Sequence, residues 1–556
     1  MLPTLGIYGI QDAGDFATPW WTHDHSVALM VDGKVEWLME LERYTRLKHD
    51  NRLHLFLEQM INEKVLPLPE RFRVVSVDSF AGRTFLSASG RWRIEGDLPE
   101  FSSASPLQPA RGRVGFKKVE SFHCFQELAH IASNLPFTGG FEEHSLLMHI
   151  DGGASQGNAS AFLYRDGRFI HLYHGWDTVL PVLNFGANNL THSMVGLDNT
   201  ARLAAPGQVM GYSAYGTDSP ELRAWLHHHD WFRKHWDNPT LFFDAARRDF
   251  NWQADGFDTH DPFLMNIAAA CQAEFEEMMF DLVTRMREQS GARRLYIAGG
   301  ALLNVEFNRK LVASGMFDEI YIPPCTSDCG LALGAAALAE YLDRGSVEQH
   351  TPFLNNAGLK PVDSWGRLVD IAELADRLAA GQVVGVCIGA AEVGPRALGH
   401  RSLLASPAEL RFREHVSEHV KRRAWFRPVA PIVLEELAEE VFPGATHTSL
   451  TDYMLCNIFV NPSWLNRIPG VVHVDGTARV QVIRHDAAEQ DFMRDLLREV
   501  WRGHQLPCLI NTSFNGPGEP IIHTAAQAQQ AAERLGIDAL VIDDRMETYV
   551  PRELRR

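Results

Sequence analysis

Short apolar runs alternate with longer amphipathic ones along most of the chain, the pattern of a mixed α/β protein. Leu5 to Ile10 and Ser26 to Val31 read as strands, and Asp32-Gly33 is a hairpin signal that makes Val35 to Met39 the return strand. Leu146 to Ile150 is a short apolar run ending in Asp151-Gly152-Gly153. A strand that stops at a carboxylate and two glycines lets the backbone approach a ligand. The clearest helix begins at Asp261, an N-cap, and Pro262, which suits the first helical position. Ile267, Cys271, Phe275, Met278, Leu282 and Met286 then form one apolar stripe, and Gly291 stops it. A strand from Leu295 to Ala298 runs into Gly299-Gly300, and an alanine-rich helix beginning near Gly330 favours close packing on a sheet. No internal repeat or low-complexity tract stands out.

Between about Asp343 and Val369 the periodicity weakens around Pro352, Asn355-Asn356 and Pro361. A linker is expected over 346–372, with one domain over 1–345 and a second over 373–556, where Val383 to Ile388 reads as the first strand. This division suits a chain of 556 residues, which at roughly 100–200 residues per domain predicts two to four. Hydrophobic residues at 45% and charged ones at 22% are ordinary for a protein with real cores. The net charge of -18 argues against a nucleic-acid track or an anionic membrane surface. Seven cysteines suggest a reducing cytoplasm rather than a disulfide framework, and Cys325 with Cys329 lacks the second pair of a zinc site. The first residues carry no signal-peptide pattern, and no apolar stretch approaches the roughly 18 residues that span a bilayer. A soluble, cytoplasmic protein is expected.

Any anionic ligand must then be held by a local basic cluster. Arg396, Arg401, Arg411, Arg413, Lys421, Arg422, Arg423 and Arg427 lie close together, opposed only by Glu409, Glu414 and Glu418. Arginine forks match phosphate oxygens in pairs. A solvated helix face accounts for Arg411, Arg413 and Arg422, but Arg396 sits in GPRALG among small and apolar residues. Arg479 follows a turn-like Asp-Gly-Thr, and NTSFN supplies Asn511, Ser513 and Asn515 after the apolar run Cys508 to Ile510. Alternation along extended chain points these three the same way. No P-loop string occurs.

GPRALGHRS, KRRAWFRPVAP, HVDGTARVQ and NTSFN, in this order, closely resemble the C-terminal domain of the O-carbamoyltransferase family. HDHSVAL, ERYTRLKHD, GQVMGYSAYG, AGGALLNVEFN and SDCGLALGAA match its N-terminal motifs, so the resemblance covers nearly the whole chain. It implies an N-terminal actin-like ATPase (ASKHA) type domain followed by a YrdC-like α/β domain. It further implies that the second domain forms carbamoyl-adenylate from carbamoyl phosphate and ATP, and that the first passes the carbamoyl group to a hydroxyl. A poor electrophile such as carbamate must be activated and kept from water.

On this sequence the resemblance assigns Arg396, Lys421 and Arg423 to catalysis, and Arg427, Arg479, Asn511, Ser513, Asn515, Gly299, Gly300 and Asn304 to phosphates, carbamate or nucleotide. His23 and Asp24 match the family's histidine–aspartate pair, the histidine being the candidate base for the acceptor hydroxyl. His130, Asp151 and Asp328 match ligands of a divalent metal, iron, manganese or magnesium, but Gln126 stands where the family has a second histidine. Amide oxygen is the weaker ligand, so a harder or less tightly held ion follows from that change. Ala424, His400 and Gln208 are lesser departures, at positions of a glutamate, an asparagine and a lysine. Asn304 equally fits a residue that caps the next helix.

A tRNA-modifying transferase, a non-catalytic nucleotide sensor and an actin-like sugar kinase are the competing classes. The charge, the intact basic and polar set and the last 180 or so residues weigh against each in turn. The expected acceptor is a small hydroxylated metabolite such as an antibiotic. Leu222 to His260, with Trp225, Trp231, Trp236, Trp252 and a run of three histidines, is a candidate wall for it, although such aromatics are more often core.

Overall fold

The computed structural model describes residues 1–11, 22–79, 82–96, 105–176, 189–197, 203–232, 239–362 and 365–549. Its first sheet orders Lys34–Glu40, Ser26–Val31, Thr4–Tyr8, Arg73–Val77 and Lys117–Cys124, extended at the last strand by Leu107–Val114, Trp92–Glu95 and Thr84–Leu86. Thr4–Tyr8, Arg73–Val77 and Lys117–Cys124 are parallel, and Ser26–Val31 runs against its neighbours. The second sheet repeats that plan with Arg168–Gly175, Ala159–Arg165, Ser145–Ile150, Arg294–Ala298 and Glu319–Tyr321. The doubled strand order 3-2-1-4-5 is that expected of an actin-like unit. It is a repeat of topology that the sequence does not display, because only the strand order is shared.

Two helices from the sequence reading join these sheets. Pro262–Ser290 starts on Asp261, whose carboxylate accepts from the Phe263 amide, and stops at Gly291 with φ 65°. Leu331–Arg344 lies so close to its neighbours that a Cβ on Gly334 would sit 1.9 Å from the Ala129 carbonyl oxygen. On its sheet side, a Cβ on Gly6 would meet the Ala332 carbonyl oxygen at 2.0 Å. The alanines are therefore a packing requirement, set by contact between backbones.

The third sheet orders Arg367–Leu368, Arg545–Thr548, Ala539–Ile542, Val384–Cys387, Arg401–Ala405, Cys508–Ser513, Ala430–Leu434 and Gln481–Ile483, with mixed pairing. Helices Ile371–Ala379 and Asp491–His504 cover one face, and Ala525–Leu535 packs in the core on the other. The chain before this sheet hydrogen-bonds Val347 to Gly139 and Glu348 to Gly33, then bridges Asn355 to Ala391.

The two halves are joined by buried polar contacts. Arg43, fully buried, gives its Nε to Glu40 at 2.8 Å and an Nη2 to the Gly394 carbonyl at 3.0 Å. Arg46 reaches the carbonyls of Ile521 and Pro520 at 2.7 and 2.6 Å. All seven cysteines are buried and unbridged, and no helix among the described residues is long and apolar enough to cross a membrane.

Candidate active site

The strand ends of the first half converge on a cluster of histidines and aspartates. Asp24 and His49 both hold a left-handed backbone, φ 54° and 59°, a conformation that non-glycine residues adopt seldom and often at functional sites. Asp24 accepts from His23 at 3.0 Å and from His49 at 2.9 Å. Asp328, at the mouth of the alanine-rich helix, accepts from the Tyr8 hydroxyl at 2.8 Å. Its other oxygen lies 3.3 Å from His130 Nε2 and 3.4 Å from the Gln126 amide nitrogen. Asp151 lies 3.6 Å from His130 Nε2 and takes the backbone amides of Gly152 and Gly300. His149, which the sequence reading missed, stacks on His130 with centroids 5.0 Å apart. Strand alternation carries its signal: His149 and Asp151 are two residues apart on one side.

Burial pulls the His23 imidazole down, but Asp328, Asp24 and Asp151 override it and push it up to about 10. Burial likewise works against Asp24, yet His49 and His23 hold it well below the usual carboxylate range. Burial raises Asp151, and Asp328 adds to that. Two carboxylates facing buried imidazoles whose ring nitrogens lack hydrogen-bond partners form a donor set suited to a divalent cation. The residues present therefore fit the metal that the resemblance implies.

The second half brings basic residues up to Lys48, the residue next to His49. Gly394, φ 88°, starts the loop that carries Arg396, and a Cβ there would meet the Pro324 carbonyl oxygen at 2.4 Å. Arg396 Nη2 approaches the Leu303 carbonyl at 3.4 Å, beside the turn that begins at Gly300. Lys421, at the end of the π-helical turn His415–Val420, donates to Ser513 Oγ at 3.2 Å, the Asn515 carbonyl at 2.7 Å and Asn515 Oδ1. It thereby fixes the loop that follows Cys508–Ser513. Asn511 turns to Gln481 at 2.7 Å and the Ala397 carbonyl at 3.1 Å.

Burial depresses Arg396 to about 10, and Arg427 and Arg423 add to the effect. Burial also pushes Arg423 and Arg479 well down, Arg423 further by Arg427 and Arg479, and Arg479 by Arg396 and Arg427. Arginine keeps its charge near neutrality, so these shifts record first the cost of burying the cations and then their mutual repulsion. Among the described residues no carboxylate is paired with any of the three, and Arg396 Nε and Arg479 Nε are buried without hydrogen-bond partners. Such a set has the chemistry to hold an anion.

Lys48 and His49 join the two clusters. Burial lowers Lys48, Glu42 opposes this, and Arg427, Asp24 and Arg423 all act on it. Lys48 therefore faces the basic set while the next residue bonds Asp24. Neither residue was singled out from the sequence, nor was Tyr8, whose partner Asp328 is 320 residues away.

Gly299, φ 117°, donates to the Thr326 carbonyl at 2.8 Å and touches the Ile150 backbone, which holds Asp151 in place. Asn304 caps Val305–Ala313 through the Phe307 amide at 3.0 Å and pairs with Gln272. Arg411 pairs with Glu409 at the surface. His400 stacks on Phe353 at 3.5 Å, its nitrogens bound to the carbonyls of Ala390 and Glu489, so it serves packing. Trp225, Trp231 and Trp252 belong to the core with Phe242, the commoner role for such aromatics. Trp236 lies outside the described residues. The aromatic set flanking the basic cluster is instead Trp425, stacked on His260 at 4.7 Å and edge-on to Tyr215 at 4.8 Å.

Comparison with known proteins bears on the family. Residues 189–337 match the family model "Carbamoyltransferase N-terminus" and 375–548 match "Carbamoyltransferase C-terminus". Nodulation protein NolO of Bradyrhizobium diazoefficiens is 32% identical over 293 residues, 50% of this chain and 53% of that protein, so this alignment spans about half of that relative's length. Nodulation protein U of Sinorhizobium fredii is 37% identical across 91% of this chain and 94% of its own. The 3'-hydroxymethylcephem-O-carbamoyltransferase of Amycolatopsis lactamdurans is 28% identical across 94% of this chain and 97% of its own. With both family models in order and full-length likeness to such relatives, the chain belongs to the O-carbamoyltransferase family.

Proposed function

We propose that the protein is an ATP-dependent O-carbamoyltransferase that forms carbamoyl-adenylate in its second half and transfers the carbamoyl group in its first. The observation that carries this reading is the set of cations with no carboxylate partner among the described residues, Arg396, Arg423 and Arg479, linked to the histidine–aspartate cluster through Lys48-His49. Arg427 and Lys421 complete it. Carbamoyl phosphate loses phosphate to water. A carbamate oxygen then attacks the α-phosphorus of ATP, the α–β bond breaks, and pyrophosphate leaves. The basic set offsets the charge that develops on the phosphates. The acceptor hydroxyl attacks the carbamoyl carbon, AMP departs, and the hydroxyl proton passes to His23. For that transfer the charge on Asp328 and Asp151 must be offset, because it otherwise keeps His23 protonated. His130, Asp151 and Asp328 would hold a divalent cation, which when bound would supply that offset and Lewis-acid character beside the carbamoyl group.

The relative named for a 3'-hydroxymethylcephem supports a small hydroxylated natural product as the acceptor class, and antibiotic tailoring is the corresponding role. The buried, unbridged cysteines support a reducing, cytoplasmic setting. The test is nucleotide turnover with ATP, with and without carbamoyl phosphate. Pyrophosphate and AMP that appear only with carbamoyl phosphate, and not in Arg396→Ala, are expected. ADP as the product, or no turnover, would sink the adenylate route.

A further inference from the structure

The buried pair His130 and His149 leaves something unexplained. His149 is 0% exposed, and neither ring nitrogen has a hydrogen-bond partner. Both nitrogens of His130 are also without one, although Nε2 lies near Asp151 and Asp328. Leaving buried nitrogens unsatisfied is costly, and native proteins rarely do so without a ligand. Ligand atoms of His130, His149 and Asp151 all lie within 4.8 Å of one another. Donors about 2.1 Å from a shared tetrahedral ion lie roughly 3.4 Å apart, so the side chains would close in by up to about 1.4 Å on binding one.

Gln126 is placed for a different task. A carboxylate only accepts, so the amide must present its NH2 to Asp328 Oδ1, 3.4 Å away. An amide that donates to a carboxylate orients that carboxylate.

We propose that His149, not Gln126, joins His130 and Asp151 as a metal ligand, with Asp328, 3.3 Å from His130 Nε2, as the neighbouring carboxylate. This rests on the divalent cation of the proposed function and deepens it. Two imidazoles with two carboxylates favour a transition-metal dication over magnesium, which takes oxygen ligands. Replacing the ligand on the helix by one on the facing strand keeps the donor count while changing where it comes from.

The experiment uses Co2+ as the probe on the full chain. Crystals grown with Co2+ are expected to show one anomalous peak bonded to a ring nitrogen of His149 and to His130 and Asp151. Equilibrium dialysis is expected to give at least tenfold weaker Co2+ binding in His149→Gln, with Mg2+ a poor competitor in the parent protein. In Gln126→Leu the cobalt is expected to remain bonded to His149. A peak bonded to His130 and the Gln126 oxygen, with His149 out of reach, overturns the assignment while leaving a metal in the protein. A peak confined to His23, Asp24 and His49, or no peak, overturns it together with the cation part of the proposed function. Pyrophosphate formation, measured separately, tests the chemistry of the second half independently of the metal. If His149→Gln does not fold, the parent crystals decide alone.

Discussion

Charge held against its preference marks the residues that matter here. Burial depresses Arg423, Arg427 and Arg479 crowd it, and it has no carboxylate partner among the described residues, so Arg423→Ala is expected to fold normally. Its pyrophosphate formation should fall by about 10²-fold or more, the usual cost of removing one preorganised charge from a transition state. Unchanged turnover in a stopped-time pyrophosphate assay would remove Arg423 from the chemistry. His523 gives a stability prediction of known sign. It is buried against the Ala357 carbonyl at 2.8 Å, and burial lowers it from 6.5 to about 3. Its folded value is depressed, so its contribution is complete above about 6.5 and is lost as pH falls towards 3. From this residue alone, stability is expected to decline by about 1.4 kcal/mol per pH unit below 6.5. His523→Gln should remove that slope from urea midpoints measured at pH 5 to 7. The basic set was legible in the sequence because its members fall in a few strings. Tyr8, Lys48, His49 and His149 were not, since each owes its role to partners that only folding brings near.

Among elements, those with local punctuation were legible to within a residue or two. Asp261-Pro262 and Gly291 bound their helix as read, and Ser26–Val31 carries the expected turn at Asp32-Gly33. The π-helical turn before Lys421 and the doubled sheet were not readable, because both are set by tertiary pairing rather than by propensity. The alanine-rich helix offers an element-level test. Gly334→Ala raises helix propensity by about 1 kcal/mol. The Cβ would nevertheless enter the Ala129 carbonyl at 1.9 Å, between backbones that side-chain rotation cannot relieve. A net loss of about 1–3 kcal/mol is therefore expected on thermal or urea unfolding. A gain in stability would mean that the two helices stand further apart. Because Gln126 and His130 lie on the opposing helix, the same variant should also weaken cation binding.

At the scale of the whole molecule, the short helix Leu41–Thr45 and Arg46 after it tie the first half to the second. Arg43→Met would strand the buried Glu40 carboxyl, which burial raises to about 7 against the pull of Arg43. Breaking a buried pair in this way costs about 3–5 kcal/mol. We expect Arg43→Met to unfold earlier in urea and to lose carbamoyl transfer more than pyrophosphate formation, since the second half keeps its own cations. Equal loss of both would show that the junction supports each half rather than their alignment. Arg43 and Arg46 grip Gly394, Pro520 and Ile521 by main-chain carbonyls, not by side chains. The gripped segment thus carries no side-chain identity for the arginines to recognise. Over evolutionary drift, residues 520 and 521 are free to exchange among apolar types while Arg43 and Arg46 stay fixed, and the two sides of the junction would show little covariation.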